Sequence, residues 1–107
     1  MQAETLYCVR FWVSPAGRDE VLQWLDGSHM QDVVSQPGFR WMKRLKLAQD
    51  ADDGWLAYMM IYGVESEAAL LAYFESAATR RYAEERKPFA HHLRMDRWWG
   101  AVDHAIN

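Results

Sequence analysis

The run WLAYMMIYGV, residues 55 to 64, carries no charge and no polar side. On an extended chain Leu56, Tyr58, Met60 and Tyr62 point one way and Ala57, Met59 and Ile61 the other. A strand of this kind has no face it can leave in water, so the sheet around it must be covered on both sides. The run TLYCVRFWV (residues 5 to 13) is equally two-sided, with Arg10 as its exception. These two strands constrain the fold more than any other feature.

What is available to cover them follows from the rest of the chain. Ser14-Pro15, with Asp19 and Glu20 close behind, is predicted to open a helix reaching about Ser35, since Pro37 disfavours helix at Gln36. Pro37-Gly38 is predicted to turn into a second strand, FRWMKRLKL (39 to 47), whose basic residues suit an edge. The tract AQDADDG is a turn before the apolar third strand. Ser66 can cap a second helix, with Leu70, Phe74 and Ala77 beside Leu71, Ala78 and Tyr82 on its buried side. Its end, TRRYAEERK, reads as a solvated face with Arg80–Glu84 and Arg81–Glu85 pairs, stopped by Pro88. LRMDRWWGAV (93 to 102) is the fourth strand. The order βαββαβ is that of an α+β, ferredoxin-like domain with a four-stranded antiparallel sheet. Its two helices cover one face only, so the other is predicted to meet the sheet of a second copy in a homodimer.

With 107 residues, half of them hydrophobic, the whole chain (1–107) reads as one domain with a modest core. A net charge of −3 leaves no electrostatic footprint for nucleic acid or an anionic membrane. RNA-recognition domains share this order of elements, but the Lys/Arg-Gly-aromatic-Gly-aromatic run they use is missing. The apolar runs are too short, and too broken by charge, to span a bilayer as helices. The single cysteine, Cys8, excludes an internal disulfide, and MQAETLY shows no secretory leader, so a cytoplasmic location is expected.

The candidates for chemistry are the residues that break the apolar pattern. His29 shares a helical stripe with Leu22, Leu25 and Val33, just after Gly27, and an imidazole there can act as acid or base or serve as a satisfied core group. Gly27 weakens the helix, which a close backbone approach or room for a ligand would justify. Asp26 and Asp32 flank His29 at i−3 and i+3, where ordinary solvated positions are expected. His91 and His92 on an extended segment would face opposite ways, and no metal site is expected. Arg10 needs either an internal carboxylate such as Asp96 or an anionic ligand. Tyr58 and Tyr62 bring hydroxyls that suit the core, an interface or a substrate oxygen. Trp12, Trp41, Trp98 and Trp99 make an aromatic interior suited to a flat apolar ligand. Cys8 has no activating neighbour in sequence and reads as an inert thiol.

The stretches WLDGSHMQDVVSQPGF, YMMIYGVESEAALLAYFES and FAHHLRMDRWWG together resemble the dimeric α/β-barrel superfamily, in particular a small bacterial family of uncharacterised function. The resemblance covers nearly the whole chain and implies sheets paired face to face, with a substrate cleft between helices and sheet. It also implies relatives that include cofactor-free monooxygenases, isomerases and cyclases; fold does not choose among them. The expected function is a homodimer binding a small apolar, aromatic or polyketide-like molecule, without a bound cofactor. In an enzyme of that kind His29 would move the proton, Tyr58 or Tyr62 would orient the substrate oxygen, and Arg10 would stabilise developing negative charge. Trp12, Leu25, Val33 and Trp98 would contact the substrate. A non-catalytic ligand-binding or assembly protein with a structural His29 is the alternative.

Overall fold

The computed structural model describes residues 4–107. Four strands, β1 (Thr5–Val13), β2 (Phe39–Lys46), β3 (Leu56–Val64) and β4 (Leu93–Ala101), form one antiparallel sheet in the order β2-β3-β1-β4. This is the ferredoxin-like order, with the two apolar strands at the centre and the basic β2 at an edge. Gly38, at φ 85°, makes the turn into β2 and lies so close to Ala69 that a Cβ would meet it at 2.6 Å.

The helices differ from expectation in detail. The first begins at Arg18, because Ser14 is held in a turn: its Oγ accepts the Gly17 amide and bonds His92 Nδ1 at 2.6 Å. It then runs as α1 (Arg18–Trp24), a π turn (Leu25–His29) and α2 (Met30–Val34). The second is two helices, α3 (Glu67–Phe74), capped by Ser66, and α4 (Ala77–Arg86). They break where the Ser76 hydroxyl bonds back to the Tyr73 carbonyl. Pro88 sits inside a 3₁₀ turn (Lys87–His92) that delivers the chain to β4. In that turn His91 and His92 do not face opposite ways as an extended segment would have them; their rings lie 4.0 Å apart. Arg81 pairs with Glu85, but Arg80 bonds the Glu75 carbonyl instead of Glu84, which Lys87 takes.

All helices pack on one face of the sheet. Tyr7, Val9, Phe11 and Val13 of β1 and Tyr58, Met60 and Tyr62 of β3 meet Val21, Leu25, Val33, Leu70 and Tyr82 there in a single core. The opposite face carries Leu6, Cys8, Arg10 and Trp12 beside Met59, Ile61, Leu45 and Trp98, with no helix or strand of the described residues over it. Leu45 and Trp98 are each 42% exposed. No helix of the described residues is long and apolar enough to cross a membrane.

Candidate functional site

The π turn explains how the helix keeps its stripe. The buried members are Val21, Leu25, His29 and Val33, four residues apart, with Val21 in the place expected of the half-buried Leu22. In a regular helix of about 100° per residue each step of four overshoots by about 40°, so such a stripe would drift off the core. The Met30 amide reaches back to the Leu25 carbonyl, five residues away, and this slower winding holds His29 on the sheet-facing side. Gly27 lies in the turn with nothing within 4 Å of where a Cβ would stand, so close backbone approach is not its role.

His29 is 8% exposed, and its Nδ1 is buried with no hydrogen-bond partner among the described residues. Its ring stacks on Trp24 at 4.0 Å and meets the Tyr82 ring edge-on at 4.5 Å. Both neighbours are themselves held. The Trp24 indole donates to Glu85 at 3.1 Å, and the Tyr82 hydroxyl donates to Asp32, which also takes Arg81. Asp26 pairs with Arg44, so neither flanking carboxylate touches the imidazole. Burial and the nearby Arg86 charge lower the His29 pKa to about 4, which keeps the ring neutral at ordinary pH.

His29 lines a cleft between the helices and the sheet, together with Leu25, Val33, Met60, Tyr62 and Phe11. Its empty space is about 630 Å³ including the open mouth. Tyr7, Tyr62 and Tyr73 also face it, and burial raises the pKa of each hydroxyl, so they stay protonated and can donate. Among the described residues the Tyr62 hydroxyl has only the Met60 sulfur as partner, at 3.6 Å. At the mouth stand Arg86, from the end of α4, and Arg97, from the helix-facing side of β4.

Of the residues expected at a site, His29, Tyr62, Leu25 and Val33 therefore come together. Tyr58 does not line the cleft: it stacks on Phe11 at 5.1 Å and takes a hydrogen bond from Arg18. Arg10, Trp12 and Trp98 lie on the uncovered face, on the other side of the sheet from His29, because β1 side chains alternate. Arg10 there bonds Asp96 with both Nε and Nη2, at 3.3 and 2.9 Å, between the rings of Trp12 and Trp98. Cys8 shares that face, where partial burial raises its pKa. No cluster of three metal-ligating side chains occurs among the described residues.

Sequence reasoning missed Arg86 and Arg97, though each left a signal. Arg97 alternates with Leu93, Met95 and Trp99 on one face of its strand, the same kind of exception as Arg10. Arg86 has Tyr82 and Ala90 at i−4 and i+4, so it was never supported by the ion pairs of its charged neighbours.

Solved structures share the fold across the full length. A variant of SnoaB, a cofactor-independent oxygenase from Streptomyces nogalater, superposes with a TM-score of 0.72 at 15% identity, covering 97% of both chains. A conserved protein of unknown function from Bacteroides thetaiotaomicron, described as a possible oxidoreductase, reaches 0.71 at 11% identity over 95% of this chain and 100% of its own. A monooxygenase from the ActVA-Orf6 gene of Streptomyces coelicolor, in complex with nanaomycin D, reaches 0.66 at 21% identity over 98% and 92%. At these identities the likeness is one of fold. No curated protein matches the sequence significantly. The family model that does match spans residues 4–97, and the chain belongs to that family, the domain of unknown function DUF4286.

Proposed function

We propose that the protein is a cytoplasmic homodimer that binds a small, largely apolar aromatic or polyketide-like molecule in the His29 cleft and abstracts a proton from it. One observation carries this reading: a neutral, buried imidazole without a hydrogen-bond partner among the described residues lines a cleft walled by aromatic and aliphatic side chains. Buried polar groups are normally satisfied, and a phenol or enol hydroxyl donating to the imidazole would supply a partner that the described residues do not. Transfer of that proton creates an imidazolium and a phenolate or enolate together, so neither charge is left alone in the low-dielectric cleft. The Tyr62 hydroxyl, on the wall of the same cleft, would donate to the anionic oxygen. Isomerisation, cyclisation and direct reaction with dioxygen all start from such an anion. The names of SnoaB and of the ActVA-Orf6 product, an oxygenase and a monooxygenase, support that class, and the former supports chemistry without a cofactor.

The test is a screen of phenols, lactones and short polyketides for binding and turnover by the wild type and His29→Gln. Binding by both proteins with turnover by the wild type alone supports the assignment. Equal turnover per folded molecule would remove His29 from the chemistry, and binding without turnover in either would leave a ligand-binding protein.

A further inference from the structure

Arg86 and Arg97 are two cations at the mouth of one cleft, and among the described residues neither forms an ion pair; the Arg97 guanidinium has only the neutral Tyr7 hydroxyl beside it. The carboxylates nearest in sequence are committed elsewhere: Glu84 to Lys87, Glu85 to Arg81 and Trp24, Asp96 to Arg10. Both arginines, with Leu93 and Met95, also line a shallower groove that continues from the mouth over Ala90. Arg86 is half-buried, and each loss of water around its guanidinium costs free energy that the chain itself does not recover. Burial, then repulsion from Arg97, lowers the Arg86 pKa, which places the two charges within each other's field. Two neighbouring guanidinium groups, one of them partly dehydrated, recognise a planar oxyanion by charge-assisted hydrogen bonds.

We propose that Arg86 and Arg97 form an anion subsite at the mouth of the His29 cleft, which takes the carboxylate of an aromatic acid whose ring lies among the apolar walls. The subsite fixes the ligand's direction: carboxylate outward between the arginines, hydroxyl-bearing end inward towards the His29 imidazole. It rests on the reading of the cleft as a small-molecule site and adds the chemical class of the molecule.

The experiment is calorimetric titration of the wild type, Arg86→Gln and Arg97→Gln with 2-naphthoate and with its neutral counterpart 2-naphthamide. In the wild type naphthoate should bind roughly 10- to 100-fold more tightly than the amide, as charge-assisted hydrogen bonds imply. Added salt should erode that difference. Each glutamine variant should lower naphthoate affinity towards that of the amide and leave the amide unchanged. Arg86→Lys, which keeps the charge but not the fork, should fall between and guards against misfolding of the glutamine variant. Equal affinities for the two ligands in the wild type overturn the subsite while leaving the cleft as a binding site. Failure of both ligands overturns the subsite and the cleft reading together. A variant that lowers the molecular mass in solution but not naphthoate affinity overturns the subsite, since the arginine then pairs with a second copy.

Discussion

The His29 imidazole lies against the Trp24 indole with ring centroids 4.0 Å apart and planes 22° from parallel, while no hydrogen bond from the described residues holds its buried Nδ1. Stacking, not hydrogen bonding, fixes the ring. Two consequences follow for substitution. His29→Gln strands no partner and should cost only the stacking and edge contacts, about 0.5 to 1.5 kcal/mol. His29→Leu removes an unsatisfied buried nitrogen and should be neutral or stabilising. Urea denaturation of the three proteins decides it. A loss of several kcal/mol in either variant would mean that the imidazole has a structural partner.

The same burial makes stability depend on pH. The folded-state pKa of His29 is about 4, below its ordinary 6.5, so between those values the unfolded chain binds the extra proton. Stability is therefore fully present above about pH 6.5 and is lost as pH falls towards 4, by up to about 3 kcal/mol from this residue. Denaturation at pH 7 and pH 5 should show the loss in the wild type and a smaller one in His29→Gln. Carboxylates contribute to both proteins alike, so the difference between them isolates the imidazole. A His29 NMR signal that titrates near 6.5 would contradict the burial argument.

Much of this arrangement was legible from residue patterns. The two-sided strands required cover on both faces of the sheet, and the basic run pointed to an edge for β2, where it lies. His29 stood out because it was polar on an apolar stripe, and a cleft now lies at that position. The π turn was not legible, because it depends on a carbonyl–amide choice at Leu25 and Met30 that no residue type dictates. The face of Arg10 and its tryptophans was not legible either. Alternation separates Arg10 from Phe11, but on a strand apolar on both sides it cannot say which side meets the helices. Tyr58 was on the correct face, yet it lies towards the far end of its strand, stacked on Phe11 beyond the cleft.

Gly27 offers a test of the π turn. A Cβ there would meet nothing within 4 Å, and no positive φ requires glycine. Gly27→Ala should therefore gain roughly 0.5 to 1 kcal/mol from helix propensity. Ligand binding in the cleft should be unchanged, because His29 stays on its stripe. A destabilised Gly27→Ala would show that the turn needs glycine's backbone freedom or that another surface packs on it.

Asp32 holds the Tyr82 hydroxyl and Arg81 at once, and so sets the edge of the ring that abuts His29. Burial and the Asp32 contact both raise the Tyr82 pKa, so the phenol remains the donor. Tyr82→Phe and Asp32→Asn should each cost about 1 kcal/mol, with a coupling of at least about 0.5 kcal/mol in a double-mutant cycle. Strict additivity would mean that the two groups do not cooperate in positioning the ring.

The uncovered face of the sheet carries the last prediction. Leu6, Cys8, Trp12, Met59, Ile61, Leu45 and Trp98 form an apolar surface, and the chain's own helices all lie on the other side. Contiguous patches of this kind mark an interface, and a stable one buries about 1,600 Å² in total. Arg10 and Asp96 satisfy each other on that face, so a second sheet can pack over them without stranding either charge. Sedimentation equilibrium at micromolar concentration should give twice the 12.6 kDa chain mass. Ile61→Glu places a carboxylate on that face, opposite Cys8 and beside Lys43 in the ladder. It should yield a monomer that keeps its circular dichroism spectrum, because the helix-facing core does not include Ile61. A wild type that sediments as a folded monomer would mean that the face is left open in solution. A dimer unaffected by Ile61→Glu would place the interface elsewhere on the molecule.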